Sequence, residues 1–328
     1  MTPMQLMQQP ATASNTNRKA LPEELSSYNL PSQLAKIMEK FTEANVTTEI
    51  LGRTVEYNDI VLLKITESQT ASKRFFRAEE SKYVDEVPEK KIVFIVHGLS
   101  TMGMYLLPCL SEIKQFELLV SYYLEHLHKF DIFLIPLANP DGYAYVVAYW
   151  NKNLSPQTAC PGVALDRNFD VAWNVSRPIS SCSQLYPGPA PFSEAETKAI
   201  RDVLHRYSHK IIAYLNVHGG SYDYNSFKGD AILYPKGYTD VQSDDDKYLD
   251  LRGDVDEAMK NASFQVLSVN VDTLHNWYGK ISGSSVDYAS TIYGIPYALE
   301  LVMQLYENYD FKDDKEVSYY ALTEIWKR

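Results

Sequence analysis

Two apolar runs that each end in histidine constrain this chain more than any other feature. Residues 92–96 read Ile-Val-Phe-Ile-Val and are followed by His97, and residues 211–217 lead into His218 in the same way. Runs of this length without polar alternation suit strands buried on both faces. A third run covers residues 132–137 and a fourth covers 297–302. Between the first and the third, Leu110, Ile113, Phe116, Leu119, Val120, Tyr123 and Leu127 recur at helical spacing over residues 106–128, the length of a crossover connection. A further helical stretch spans 194–207 and a last one 317–326. Strands that alternate with helices predict the α/β class with a largely parallel sheet. In open sheets of that kind functional groups collect beyond the carboxyl ends of the strands. His97 and His218 are therefore expected at one sheet edge, although 121 positions separate them (218 − 97 = 121).

The remaining pattern fills in around this frame. Leu34, Ile37, Met38 and Phe41 mark an amphipathic helix over 31–42, and residues 48–65, rich in β-branched side chains, predict strands with Gly52 as their turn. Residues 68–90 are dense in charge and read as an exposed excursion, and the acidic stretch 240–256 reads as a solvated surface. Residues 1–29 read as a flexible polar leader and 30–328 as one domain, since 328 residues with 45% hydrophobic side chains suffice for one large core. A formal charge of −11 excludes nucleic acid as a partner, because phosphate binding needs a surplus of Lys and Arg. Apolar runs such as 92–96 are far too short to cross a bilayer. The N-terminus lacks the basic patch and apolar stretch of a secretory signal, so the expectation is either a cytosolic chain or a signal left out of this sequence. Four Asn-x-Ser/Thr tripeptides, at Asn45, Asn153, Asn174 and Asn261, lean towards the secretory reading. Three cysteines, Cys109, Cys160 and Cys182, permit one disulfide and one leftover thiol, and their spacing alone leaves the pairing open.

Ser100 follows the first strand within Gly98-Leu99-Ser100-Thr101-Met102, which invites comparison with a nucleophile elbow. That turn needs Gly-x-Ser-x-Gly, and Met102 stands in the second glycine's place. A serine hydrolase is therefore not supported.

An ordered set of motifs carries a more specific resemblance. Asn139-Pro140-Asp141-Gly142-Tyr143 is followed by residues 162–169, Gly-Val-Ala-Leu-Asp-Arg-Asn-Phe, then by His218, by Ser282-Gly283-Ser284-Ser285-Val286-Asp287 and by Glu300. In this order the chain, from about residue 30 onward, resembles the zinc carboxypeptidases of the carboxypeptidase A type. The resemblance implies a mixed, twisted sheet covered by helices on both faces, with one zinc at its edge. It implies that Cys160 and Cys182 form the disulfide of a loop beside the site, which requires an oxidising compartment. Cys109 is then a small core residue.

The same resemblance assigns roles, and several positions depart from it. A catalytic zinc takes three protein ligands and keeps one position open for water. The implied metal positions are His97, Ser100 and His218, and Ser100 replaces a glutamate with a hydroxyl that is a poor zinc donor. Ala164 stands where the family places an aspartate near the first histidine, and Asn151 stands where it places the arginine that polarises the scissile carbonyl, with Lys152 one residue away. Glu300 matches the general base. Arg167 matches the arginine that grips a peptide's terminal carboxylate, Tyr278 the tyrosine that closes over it, and Val286 the position that sets preference for an apolar or aromatic C-terminal residue. Asp166 replaces the asparagine beside Arg167 and adds a charge that repels a carboxylate. The expectation is a secreted carboxypeptidase-like protein of impaired catalysis, with zinc weak or absent and a peptide or protein C-terminus as partner. The alternative is an active A-type metallocarboxypeptidase.

Overall fold

A computed structural model of the protein describes residues 44–68, 90–101, 127–145, 150–173, 179–219, 231–241, 246–262 and 269–303. Its strands are β1 (Ala44–Arg53), β2 (Asp59–Glu67), β3 (Lys91–His97), β4 (Phe130–Ile135), β5 (Ile211–Gly219), β6 (Ala231–Tyr234), β7 (Asn270–Thr273) and β8 (Tyr297–Met303). The helices are α1 (Pro140–Ala144), α2 (Ala195–Tyr207), α3 (Asp246–Ala262), α4 (Leu274–Tyr278) and α5 (Ser285–Tyr293). The strands join one sheet in the order β1-β2-β4-β3-β5-β8-β6-β7. Pairs β3/β4, β3/β5, β5/β8 and β6/β7 are parallel, and β1/β2, β2/β4 and β6/β8 are antiparallel. The sheet is thus mixed and mostly parallel, as the alternation of runs predicts.

Both faces are covered, which explains why the central runs are apolar throughout. One face packs Val93, Ile95, Leu215 and Leu299 against Tyr248, Leu251 and Val255 of α3. The other packs Phe94, Val96, Tyr214 and Ala298 against Ile200 and Val203 of α2 and Val286 and Ala289 of α5. Burial of such side chains contributes roughly 1.5–3 kcal/mol each.

Three readings of the sequence are corrected. Gly52 lies inside β1 at a register irregularity, and the chain reverses at Thr54–Asn58 instead, where Thr54 N–H donates to the Asn58 carbonyl. That reversal is held from afar. Asp141 of α1 accepts hydrogen bonds from Thr54 Oγ1, Glu56 N and Asn58 Nδ2. The third run is a strand over Phe130–Ile135 rather than 132–137. The acidic stretch is not simply a solvated surface, because most of α3 lies within it and buries Tyr248, Leu251 and Val255 beneath its charged residues. The Asn139-Pro140-Asp141-Gly142 motif starts a helix: Asn139 caps α1 by accepting from Gly142 N, and Pro140 occupies the first turn. The short strands β6 and β7 carry no long apolar run and were not predicted. The expected leader, the helix over 31–42, the excursion between Ser68 and Lys90, residues 106–126 of the crossover helix, the helix over 317–326 and Cys109 lie outside the described residues.

Cys160 and Cys182 are bonded. Asn153, one of the glycosylation tripeptides, is fully buried beside this loop. Its Nδ2 donates to Glu194 Oε2 at 2.7 Å and faces Glu196, while its Oδ1 accepts from Val163 N at 2.9 Å. Glu194 and Glu196 sit at the N-terminus of α2, where the helix dipole favours negative charge. Burial nevertheless pushes the Glu196 carboxyl up to about 7, helped by the charge of Glu194. A carboxyl raised above its unfolded value favours folding most at low pH, and this contribution is lost as pH rises through the folded value. Glu196→Gln is therefore expected to stabilise the fold by about 1–3 kcal/mol at about pH 8, with little effect at about pH 4. Thermal unfolding at both values checks this; an equal effect at both would contradict it.

Candidate functional site

The register of three central strands assembles the site. In β3 and β5, His97 is level with Val217, so His218 stands one rung further at the same carboxyl edge. In β5 and β8, Asn216 is level with Glu300 and His218 with Val302. His218 and Glu300 are thereby diagonal neighbours on adjacent strands, and His218 Nε2 lies 2.9 Å from Glu300 Oε1. Both side chains are buried. Burial alone would lower the His218 value, but the hydrogen bond and charge of Glu300 hold it above the ordinary range. Burial would raise Glu300, and His218, followed by Tyr278 and Arg167, holds it below the ordinary range. Both shifts favour an imidazolium paired with a carboxylate.

Tyr278, at the end of α4, donates its hydroxyl to the same Glu300 Oε1 at 2.5 Å. Its ring also lies 5.8 Å from the guanidinium carbon of Arg167, within cation–π range. Arg167 ends a short 3-10 turn, Leu165–Arg167, and its Nη1 meets both the carbonyl and, at 3.1 Å, the Oδ2 of Asp166. Asp166 Oδ1 accepts from Ser285 N at 2.8 Å, which ties this turn to the first residue of α5. Gly283 makes the close approach possible: it has φ +72°, and a Cβ there would stand 2.2 Å from the Arg167 carbonyl oxygen. Burial and then the charge of Glu300 push the Asp166 carboxyl upward against the opposing pull of Arg167. Val286 is fully buried in the core against the sheet.

Ser100 and Asn151 meet each other. Ser100 donates its hydroxyl to Asn151 Oδ1, and both residues are buried. Asn151 N donates to Gln184 Oε1 at 2.9 Å, which fixes the segment that carries it. Lys152 turns away from this contact: its Nζ donates to the Ser181 carbonyl at 2.7 Å and lies 5.0 Å from the Trp150 ring centre, and burial pulls it down to about 8. Ser100 is thus bonded to a carboxamide and not to an imidazole, which leaves it without the base a serine nucleophile needs.

His97 is the site's one imidazole whose Nε2 is buried without a hydrogen-bond partner among the described residues. Burial pulls it down to about 4, so the ring is neutral, the form that binds metals. The rest of the donor set does not fit a zinc ion. His218 Nε2 is engaged with Glu300, and the third position is a hydroxyl engaged with Asn151. Among the described residues, no group of three His, Cys, Asp or Glu side chains is placed to hold a metal ion. Sequence reasoning missed Gln184, for which no local signal exists, and Asn216, whose polar side chain within an apolar run was a signal. Asn216 is fully buried beside Glu300.

A model of the zinc carboxypeptidase family matches residues 33–316. A carboxypeptidase B of Helicoverpa zea is 33% identical over 245 residues, covering 70% of this chain and 54% of its own length. A mast cell carboxypeptidase A of Rattus norvegicus is 29% identical, covering 77% of this chain and 57% of its own length. The chain spans somewhat over half the length of these two relatives. Bovine thrombin-activatable fibrinolysis inhibitor, solved in complex with a tick carboxypeptidase inhibitor, shares the fold with a TM-score of 0.69 at 22% identity, over 92% of this chain and 96% of that one. A carboxypeptidase A from Helicoverpa armigera aligns with a TM-score of 0.64 at 23% identity, over 98% of this chain and 77% of that one.

The Ser100–Asn151 contact predicts a measurable coupling. Ser100→Ala leaves a buried carboxamide oxygen without its donor and is expected to cost about 1–3 kcal/mol of stability. The double variant Ser100→Ala/Asn151→Ala should cost less than the sum of the single changes, by about 0.5–3 kcal/mol. Strict additivity in denaturant unfolding would contradict the contact.

Proposed function

Since the chain belongs to the zinc carboxypeptidase family, we propose that it is a homologue that keeps the fold, has lost most turnover, and acts as a binding or structural protein for peptide or protein C-termini. The observation that carries this reading is the Ser100–Asn151 hydrogen bond. It joins the position of the missing carboxylate ligand to the position of the missing oxyanion donor. A carboxypeptidase needs charge at both: a carboxylate to complete the metal's ligand set and a guanidinium to stabilise the oxyanion. Here both are neutral and satisfy each other.

Asp166 supports the reading further. A guanidinium binds carboxylates through its fork of N–H groups, and one nitrogen of the Arg167 fork, Nη1, already meets a carboxylate of its own chain. Arg167, Tyr278 and Glu300 keep the family's residue types, which is why C-terminus binding, in preference to an unrelated role, is proposed. Weak or absent zinc follows from the same donor set. The Cys160–Cys182 disulfide supports a secreted, oxidising setting. Among the described residues no helix is long and apolar enough to cross a membrane.

The test is release of Phe from a blocked dipeptide in the presence of added zinc. The unaltered protein should show negligible turnover. Ser100→Glu, Asn151→Arg and Asp166→Asn should each restore little, and the three together should exceed any single change, because they act on one transition state. Ordinary turnover by the unaltered protein would replace this reading with that of an active A-type enzyme.

A further inference from the structure

We propose that Asn45 carries an N-linked glycan that covers the β1 edge of the sheet, and that Asn153 carries none. This goes beyond the reading of the catalytic site and does not rest on it. Asn45 and Thr47 form the tripeptide Asn45-Val46-Thr47 on β1, and both are exposed. Two positions apart on a strand, they project from the same face, so the carboxamide and the hydroxyl that the transfer reaction recognises stand side by side. Among the described residues, the hydrogen bond made at Asn45 outside the strand ladder goes to its backbone carbonyl, from Thr66 Oγ1. Its side chain is committed to nothing among the described residues.

Asn153-Leu154-Ser155 is the contrasting case. Asn153 is fully buried, its Nδ2 donates to Glu194, and its Oδ1 accepts from Val163 N and from Ser155 Oγ at 3.1 Å. A sugar on Nδ2 would displace the α2 N-terminus, so a chain modified there could not reach this fold. The bonded Cys160 and Cys182 provide the independent observation that the chain folds where disulfides persist, which is also where oligosaccharide transfer occurs.

The position explains what the glycan would do. β1 is ten residues long, pairs among the described residues with β2 alone, and exposes Ile50 at 58%. An exposed edge strand is a template for pairing with a second chain, and proteins blunt such edges. A bulky hydrophilic group on Asn45 does so without altering the ladder. In the reaction, the Asn45 amide nitrogen attacks the anomeric carbon of an oligosaccharide linked to a lipid pyrophosphate. A C–N bond forms, the C–O bond to pyrophosphate breaks, the nitrogen loses one proton, and the lipid pyrophosphate leaves; no electrons are transferred to or from an oxidant.

The experiment expresses the full chain behind a secretory signal in eukaryotic cells. The secreted protein is treated with an amidase that converts glycan-bearing asparagine to aspartate, and its peptides are mapped. Conversion is expected at position 45 and not at 153. Thr47→Ala should abolish conversion at 45, and Thr47→Ser should keep it. A secreted chain unmodified at 45, a glycan at 153, or retention of the whole chain with no glycan on any tripeptide overturns the proposal. Asn45→Gln should self-associate in sedimentation at concentrations where the glycosylated protein stays monomeric; unchanged sedimentation overturns the edge-covering role.

Discussion

The site depends on the buried ion pair between His218 and Glu300. Two charges removed from water on adjacent strands are tolerable only when they face each other with further hydrogen bonds. The parallel register of β5 and β8 supplies the facing, and Tyr278 supplies a further hydrogen bond to the shared Glu300 oxygen. Removing one member of such a pair typically costs about 3–5 kcal/mol, because the other charge is left buried and alone. Glu300 therefore has a structural reason to be where it is. That reason holds whether or not a water ever reaches it.

Two further contacts obey the same rule. Ser100 and Asn151 are buried polar groups, and each is the other's partner. Arg167 and Asp166 are buried charges one residue apart, and the backbone of Ser285 holds the aspartate in position. In all three cases, groups that would otherwise reach for a metal or a ligand are satisfied within the chain. The neutral His97 keeps its Nε2 unpartnered among the described residues, as do Glu300 its Oε2 and Asn216 its Oδ1 and Nδ2. On the proposed reading, a single substitution towards the family's residues must first break one of these contacts, so gains from one change at a time should be small.

The fold was legible in the sequence because the strands that build the site are buried on both faces and therefore read as apolar runs. The alternation of those runs with helical stretches was enough to put the two histidines at one edge of the sheet. Asp240–Asp256 misled because half-buried helices carry their charge outward, and Tyr248, Leu251 and Val255 are spaced too sparsely among acidic residues to stand out. Gly52 misled because a glycine inside a strand can mark a bulge as well as a turn, and the real reversal is fixed by Asp141 from 87 positions away in sequence from Thr54. In the site, the sequence reads Ser100, Asn151 and Asp166 as departures from the resembled family's pattern. Their partners were not. Gln184 reaches Asn151 across the loop that holds the Cys160–Cys182 bond, and no local spacing records such a contact.

The central claim is that two imidazoles and an engaged hydroxyl do not make a zinc site. Elemental analysis of the protein, purified without chelators and dialysed against buffer containing trace zinc, tests it most directly. The account predicts metal far below one zinc per chain. One tightly held zinc per chain, surviving dialysis, would contradict it.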